Sequence, residues 1–563
     1  LQLPGSELRP SERLCGGRAM SYSPTGARMV LMPQGAGASW VQVPTDSRAR
    51  APSVGSQSPK SAKRVQWSDD AQNGNGRGPE RVPEILTRES LKTMRPMSVE
   101  EAIEEAGVGA TQWKLLIICG LTFCSDAAEV TFLSYVTEVL KCDWGLTSNQ
   151  ESMITSAVFG GMLLGSPIWG WISDHWGRRS AFLWSSLIIT TFGFATALCQ
   201  GFYSLIVMRT VVGVGVAGLP VGFDILAEAL PSSSRGAFLL YIEYFWTMGS
   251  IYVNITAWAM LEQTGWQVFT AMAAIPTLVA SIAGYLMLPE SPRWLVDMDR
   301  VEEAAVIVQK WAKDNKRDVK SLNLTKVATH TENVSVLDLC RRSALRWKTF
   351  AHGIVWFCFG VCYYGVVMLL PRIFQHHTDT TAVSGGPETC DLHFDNKDLL
   401  ISSTCEIVGV AIAIAMIDKP GRVTTQGIFY GLTGVCCFLL GFRNIGVTFL
   451  TVVASLGRLG AMAASCATWV HCPELFPTTV RGEAHSLMNL MSKLGGFLAP
   501  YVISDLFTQI QCGIIMAVIS FAGMFFACTL PETAGEELSA VSEVPETEYT
   551  ESDLDSLSGF SED

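Results

Sequence analysis

EALPSSSRG, residues 228–236, is answered about 245 residues later by ELFPTTVRG, residues 474–482. Both read Glu-x-x-Pro-x-x-x-Arg-Gly. Further matches keep nearly the same offset: DHWGRR (174–179) with DKPGR (418–422), LPESP (288–292) with LPETA (530–534), and Arg209 with Arg458. Such agreement marks a duplicated unit. The motifs lie beside apolar blocks of about twenty residues, the length that carries a helix across a hydrocarbon core.

Hydrophobic residues make up 49% of the 563 and charged ones 16%, against about 25% charged in soluble domains. The blocks predict twelve spans, near 113–140, 150–173, 179–199, 203–227, 236–261, 266–288, 349–373, 398–417, 425–441, 445–469, 483–504 and 511–530. The expected fold is an all-α membrane protein, twelve transmembrane helices in two six-helix pseudo-repeats. Residues 1–97 are rich in Pro, Gly, Ser and Arg, lack hydrophobic period and read as a disordered cytoplasmic region, with Met20 a candidate start. The bundles are expected at 98–292 and 349–530, joined by a cytoplasmic loop, 293–348. A solvated acidic tail, 531–563, contains no Lys or Arg. Ser98 and Glu101 form a capping-box pattern ahead of the first span. RVEEAAVIVQKWAK (300–313) predicts an amphipathic helix in the loop.

Lys and Arg set the orientation. Arg178, Arg179, Arg235, the 293–348 loop, Lys419, Arg422 and Arg481 fall on one side, while the other carries little beyond Lys141 and Arg443. The basic side, with both termini, is expected in the cytoplasm. Asn323-Leu-Thr and Asn333-Val-Ser then lie where glycosylation does not reach. Cys142 and Cys390 share the outer face and could pair. The cysteines follow no metal spacing, and the chain shows neither a phosphate loop nor a nucleophile triad. No cofactor, metal, enzymatic chemistry or nucleic-acid partner is expected.

Acids inside the first span need a reason. A charge at mid-bilayer costs about 2.5–3.5 kcal/mol on insertion scales. In SDAAEV (125–130), Asp126 and Glu129 are three apart and share one helix face, which must meet a cavity or a partner. Two carboxylates so close in low dielectric cannot both ionise cheaply, which is what proton coupling needs. They could instead bind a cationic substrate or pair with a basic residue such as Arg209. Lys493 in the eleventh span could face these acids or a substrate carboxylate, or pair with Glu406 or Asp505. Glu243 and Glu406 are further candidates for the cavity. Tyr364, with Tyr363, Tyr244 and Trp246, could stack on a ring or a cation. Arg209 and Arg458 read as structural charges.

GWISDHWGRR resembles the helix 2–3 signature of the major facilitator superfamily at Gly170, Asp174, Gly177, Arg178 and Arg179. PESPRWL (289–295) is similar to the signature after helix 6 in sugar porters and organic ion transporters. VEEAIEEAGVGATQWKLLIICGL (99–121), SDAAEV, IEYFWTMGS (242–250) and WFCFGVCYYGVVML (356–369) resemble the synaptic-vesicle-protein-related (SVOP-like) branch. The seventh span reads FGVCYYGVV where sugar porters carry Gln-Gln-x-Ser-Gly, and Ile414 stands where the second signature would place its first glycine. The resemblance implies the major facilitator fold. It also implies secondary active transport of a small organic ion, coupled to protons, by a monomer in the plasma membrane or an intracellular vesicle membrane. A conformational gate is expected at Asp174, Arg178, Arg179, Glu228 and Arg235, repeated at Asp418, Arg422, Glu474 and Arg481. Asp174 should bond Arg178 or Arg235, and Gly170 should admit a close neighbouring helix. Two other readings stay open: a non-transporting receptor or vesicle component of the same fold, and a sugar porter.

Overall fold

The computed structural model describes residues 20–22, 28–34, 37–43, 97–317, 324–325, 336–377, 392–442, 446–477 and 480–534. Two compact units divide at residue 83. In the first, β1 (Met20–Tyr22), β2 (Arg28–Gln34) and β3 (Gly37–Val43) form an antiparallel meander, with Met20 opposite Val30 and Leu31 opposite Trp40. Composition reads this region as disordered. The strands are short runs containing Met, Val, Leu and Trp, β-formers that a regional average dilutes with Gly and Pro.

The second unit is helical. Helix α1 (Val99–Ala106) opens on the predicted capping box: Ser98 Oγ accepts from Glu101 N at 3.1 Å and Glu101 Oε2 from Ser98 N at 3.2 Å. The membrane helices of the first half are α2 (Ala110–Asp143), α3 (Ser148–Trp176), α4 (Arg178–Thr196), α5 (Phe202–Val216) with α6 (Pro220–Glu228), α7 (Ser232–Thr256), and α8 (Glu262–Ala273) with α9 (Ile275–Met287). Short helices α10 (Pro292–Asp297), α11 (Val301–Asp314) and α12 (Val336–Arg341) follow. The second half holds α13 (Ser343–Ile373), α14 (Asn396–Met416), α15 (Arg422–Leu440), α16 (Val447–Leu475), α17 (Arg481–Val502) and α18 (Gln509–Cys528). A two-stranded ribbon of β4 (Gln375–His377) and β5 (Leu392–Phe394) lies between α13 and α14.

All twelve predicted spans are present as helices, in which every backbone group of a span finds its partner within the span, as lipid requires. Among the described residues, nine continuous stretches are long and apolar enough to cross a membrane, one of them Ser232–Met287, 56 residues long. That stretch contains two spans, since the chain turns at Gly265, where φ is 81°. Two helices, α4 and α17, fall below the same measure; α17 carries Arg481, Glu483 and Lys493. The repeat is visible in burial. In the most apolar windows of α2 and α13, the first helix of each half, 89% of residues are buried, against 39% in α14 and α18. The first helices therefore line the middle; α18 leaves most of its apolar surface exposed, and α14 buries only the face that carries Ser402, Ser403 and Glu406.

The halves meet along α2 with α13, α3 with α17, and α7 with α14. Ser152 Oγ donates to Pro500 O at 3.2 Å and Ser156 Oγ to Phe497 O at 2.8 Å. Tyr135 donates to Asn254 Oδ1 at 2.7 Å, and Asn254 Nδ2 to Ser403 Oγ at 2.8 Å, linking α2, α7 and α14. Gly170, expected at a close helix contact, has nothing within 4 Å of where a Cβ would stand. The approach comes about one and a half to two and a half turns earlier, at Gly161 and Gly165, against the backbone of Thr210 and Val214.

The predicted linker helix is α11; Ala304, Val308, Trp311 and Ala312 form its buried face. Asn315 at its end donates to Ala106 O, Gly107 O and Gln112 Oε1 at 2.8–3.2 Å. The linker is thus tied to the N-terminus of α2. Cys142 is disulfide-bonded; Cys390, the partner considered for it above, lies outside the described residues. So do Asn323, Asn333 and Arg443.

Candidate functional site

A small, nearly closed cavity lies between the halves. Helix α2 brings Asp126 to it and α7 brings Glu243 and Trp246; from the other half, α13 brings Tyr363 and Tyr364, and α17 brings Asn489 and Lys493. Of the expected cavity residues, Asp126, Glu243, Tyr364 and Lys493 line it; Glu129 and Glu406 do not. Phe123, Phe359, Met462 and Trp469 make much of the remaining wall apolar.

Asp126 and Lys493 face each other across the interface between halves. Lys493 Nζ is 3.9 Å from Asp126 Oδ2, an ion pair beyond hydrogen-bond length. Lys493 also donates to Tyr364 OH at 3.4 Å and lies 5.8 Å from that ring's centroid. Asp126 is 6% exposed and its Oδ1 has no hydrogen-bond partner. Neither Glu406 nor Asp505 is the partner of Lys493. Glu243 is 5% exposed, and no cation bonds its carboxylate among the described residues.

The two arginines are neutralised away from the cavity. Arg209 Nη1 donates to Glu129 Oε1, its Nη2 to Thr196 Oγ1 at 2.5 Å, and its guanidinium lies 5.4 Å from the centre of the Phe132 ring. Arg458 Nη2 lies 2.7 Å from Glu406 Oε1. Tyr363 donates to the same oxygen at 3.2 Å, and Trp246 Nε1 donates to Tyr363 OH at 2.5 Å. Repetition of the arginine is therefore not repetition of its partner. The first-half acid comes from the first helix of its bundle, and the second-half acid from the second.

On the arginine-rich face the motifs close into two similar clusters. Arg178 lies 2.7 Å from Asp174 and 3.4 Å from Glu228, while Trp294 Nε1 donates to Asp174 O at 2.7 Å. Arg422 lies 3.1 Å from Asp418 and 2.8 Å from Glu474, and Thr533 Oγ1 donates to Glu474 at 2.7 Å. Each cluster stays within one half. Arg235 does not bond Asp174; its Nη2 donates to Leu230 O at 3.1 Å. Arg481 has Nε and Nη2 buried without a partner. Arg179 donates Nη2 to Tyr285 O at 2.9 Å.

Glu290 and Glu532, in the repeated Leu-Pro-Glu, were legible only as motif letters. Glu290 accepts from Arg179 N at 3.0 Å; Glu532 accepts from Arg422 N at 2.7 Å and Val423 N at 3.0 Å. Each carboxylate caps the free N–H groups that open α4 or α15. Burial works against the charge of Glu532, yet the N–H groups of Arg422, Ala534, Val423 and Thr533 hold its carboxyl below the usual carboxylate range. Burial prevails at Glu290 and holds its carboxyl above that range.

Gly177 and Gly421 make these caps possible. Their φ values are 97° and 99°, with ψ 157° and 172°, a region open essentially to glycine alone. A Cβ would stand 2.2 Å from Glu290 and 2.3 Å from Glu532. Gly177→Ala and Gly421→Ala are each expected to cost about 1–3 kcal/mol from the backbone alone, read as a fall in thermal unfolding temperature. Alanine at Gly170, in open space, should change it far less.

A family model for sugar (and other) transporters matches residues 114–544. The chain is 30% identical over 474 residues to the putative transporter svop-1 of Caenorhabditis elegans, covering 81% of this chain and 89% of that protein. It is 30% identical over 454 residues to the synaptic vesicle 2-related protein of Bos taurus, covering 78% and 82%. Over 486 residues it is 29% identical to the organic cation/carnitine transporter 7 of Arabidopsis thaliana, covering 78% and 96%. Among solved structures it is similar to the inward open conformation of the xylose transporter XylE from E. coli, with TM-score 0.57, 17% identity and coverage of 76% and 99%. That likeness speaks to the fold. With two six-helix halves around a central cavity, the chain belongs to the sugar (and other) transporter family of the major facilitator superfamily, whose members are membrane transporters and not enzymes.

Proposed function

We propose that the protein is a secondary active transporter of a small organic ion, coupled to protons at Asp126, working by alternating access. The observation that carries this is the Asp126–Lys493 pair, whose partners belong to opposite halves. When the halves rock around the cavity, that pair must separate. A lone carboxylate in low dielectric is costly, so Asp126 takes up a proton as Lys493 leaves it. A substrate carboxylate that engages Lys493 has the same effect, and this links substrate to proton. Glu129, already satisfied by Arg209, is left a structural role.

Glu243 and the rings of Trp246, Phe359 and Tyr363 offer a place for a cationic nitrogen. A neutral sugar would offer no counter-charge to Glu243, nor to Lys493 once it parts from Asp126. The arginine-rich face is assigned to the cytoplasm, on the asymmetry of Lys and Arg. Residence in a vesicle membrane is supported by relatives named for synaptic vesicles.

Counterflow in proteoliposomes with a panel of labelled organic cations, zwitterions and aromatic acids tests the reading. Exchange of at least one, accelerated by an inward proton gradient, is expected. Binding without exchange would favour a receptor, and exchange of sugars alone a sugar porter. Glu243→Gln should weaken the apparent affinity for a nitrogen-bearing substrate about 10- to 100-fold, the loss of one charged hydrogen bond, measured as KM for uptake.

A further inference from the structure

We infer that Asp505 is the outer gating residue, the acid whose ionic contacts hold the face opposite the arginine clusters shut. It sits in the turn between α17 and α18, in the second half. Lys141, at the end of α2 in the first half, binds it directly. Arg372, at the end of α13, binds it from its own half and also donates to Ile503 O at 2.5 Å, fixing the turn. Ser148 Oγ, at the start of α3, donates to Asp505 at 3.3 Å, and Lys141 lies 2.8 Å from Glu151. Asp505 is thus shared between a cation of each half.

The two faces differ in how the halves meet. The clusters around Arg178 and Arg422 satisfy themselves within one half and tie nothing across the interface. There the halves touch through rings: Phe223 lies 5.6 Å from Trp469 and 6.3 Å from His485. The opposite face joins the halves through an ion pair, Lys141–Asp505, and through a second polar contact, His393–Glu262, 2.8 Å apart. Opening that face requires Lys141 and Ser148 to leave Asp505, while Arg372 can stay. Asp505 keeps one cation in the open state, so the lock breaks without stranding a bare charge, as a reversible gate needs.

The inference rests on the alternating halves of the transporter and not on where the proton binds. The test is a distance measurement on the full chain, with spin labels introduced through noncanonical residues at Asn149 and Leu506, exposed positions on either side of the contact. Double electron–electron resonance should show a short, outer-closed population in the parent. Asp505→Asn should lower the ratio of closed to open protein about threefold or more, and raised ionic strength should act in the same direction. Lys141→Gln, which leaves Arg372–Asp505 intact and so guards against misfolding of the turn, should do likewise. The double variant should move the ratio little beyond either single one. An unchanged distribution in both single variants, or strict additivity between them, overturns the assignment. The readout needs no substrate, so failed proton coupling would leave it unaffected.

Discussion

Arg209→Met alone should remove most of the folded protein, whereas Arg209→Met with Glu129→Met should restore much of it. Arg209 is 1% exposed and Glu129 is 8% exposed. Removing one partner of such a pair strands a buried charge and costs about 3–5 kcal/mol. Replacing both by apolar groups of similar size is often neutral. The single variant should lower the unfolding temperature in detergent by roughly 10 °C, on the usual scaling of free energy to temperature. The double variant should recover at least half of that. Equal losses in the two would mean that Arg209 acts through Thr196 and Phe132 and not through the pairing. The same logic applies to Arg458 and Glu406, with Tyr363 as a third member.

Lys493→Met should abolish concentrative uptake, reducing it by about a hundredfold or more, with a much smaller loss of folded protein than Arg209→Met. The difference follows from geometry. Asp126 lies 3.9 Å from Lys493 and lines a cavity, so it can hold a proton once the cation is gone, while Glu129 lies in a packed site. Lys493→Arg should not rescue transport fully. A guanidinium would form the close, forked bond to Asp126 that lysine does not, and would resist separation. Uptake measured beside the yield of monodisperse protein distinguishes the two losses. A variant that fails in both equally would make Lys493 a structural cation.

The architecture was legible because it obeys few rules. Blocks of twenty apolar residues and a repeated offset are global patterns, and a continuous apolar run of that length crosses lipid as a helix. Spacing also placed Asp126 and Glu129 on one side of α2. It could not divide them: one helical turn separates a residue facing the cavity from one facing Arg209, and that depends on where α5 crosses. Gly170 misled for a related reason. A motif names a residue, but close approach is set by the neighbouring helix, and α5 meets α3 at Gly161 and Gly165 instead. Arg235 and Arg481 were matched by repetition, yet neither forms a salt bridge among the described residues: Arg235 donates to Leu230 O, and Arg481 keeps Nε and Nη2 buried without a partner. The outer contacts of Asp505 could not be read at all. Those with Lys141 and Ser148 join residues more than 350 positions apart and carry no local signature.

Asp126 is proposed to couple substrate movement to protons. The most direct test compares parent and Asp126→Asn in proteoliposomes, measuring substrate counterflow without a gradient beside accumulation driven by an inward proton gradient. The variant keeps the side chain's shape and removes its proton chemistry. Counterflow should persist within about tenfold of the parent, and gradient-driven accumulation should vanish. Accumulation undiminished in Asp126→Asn would contradict the account and move coupling to another group.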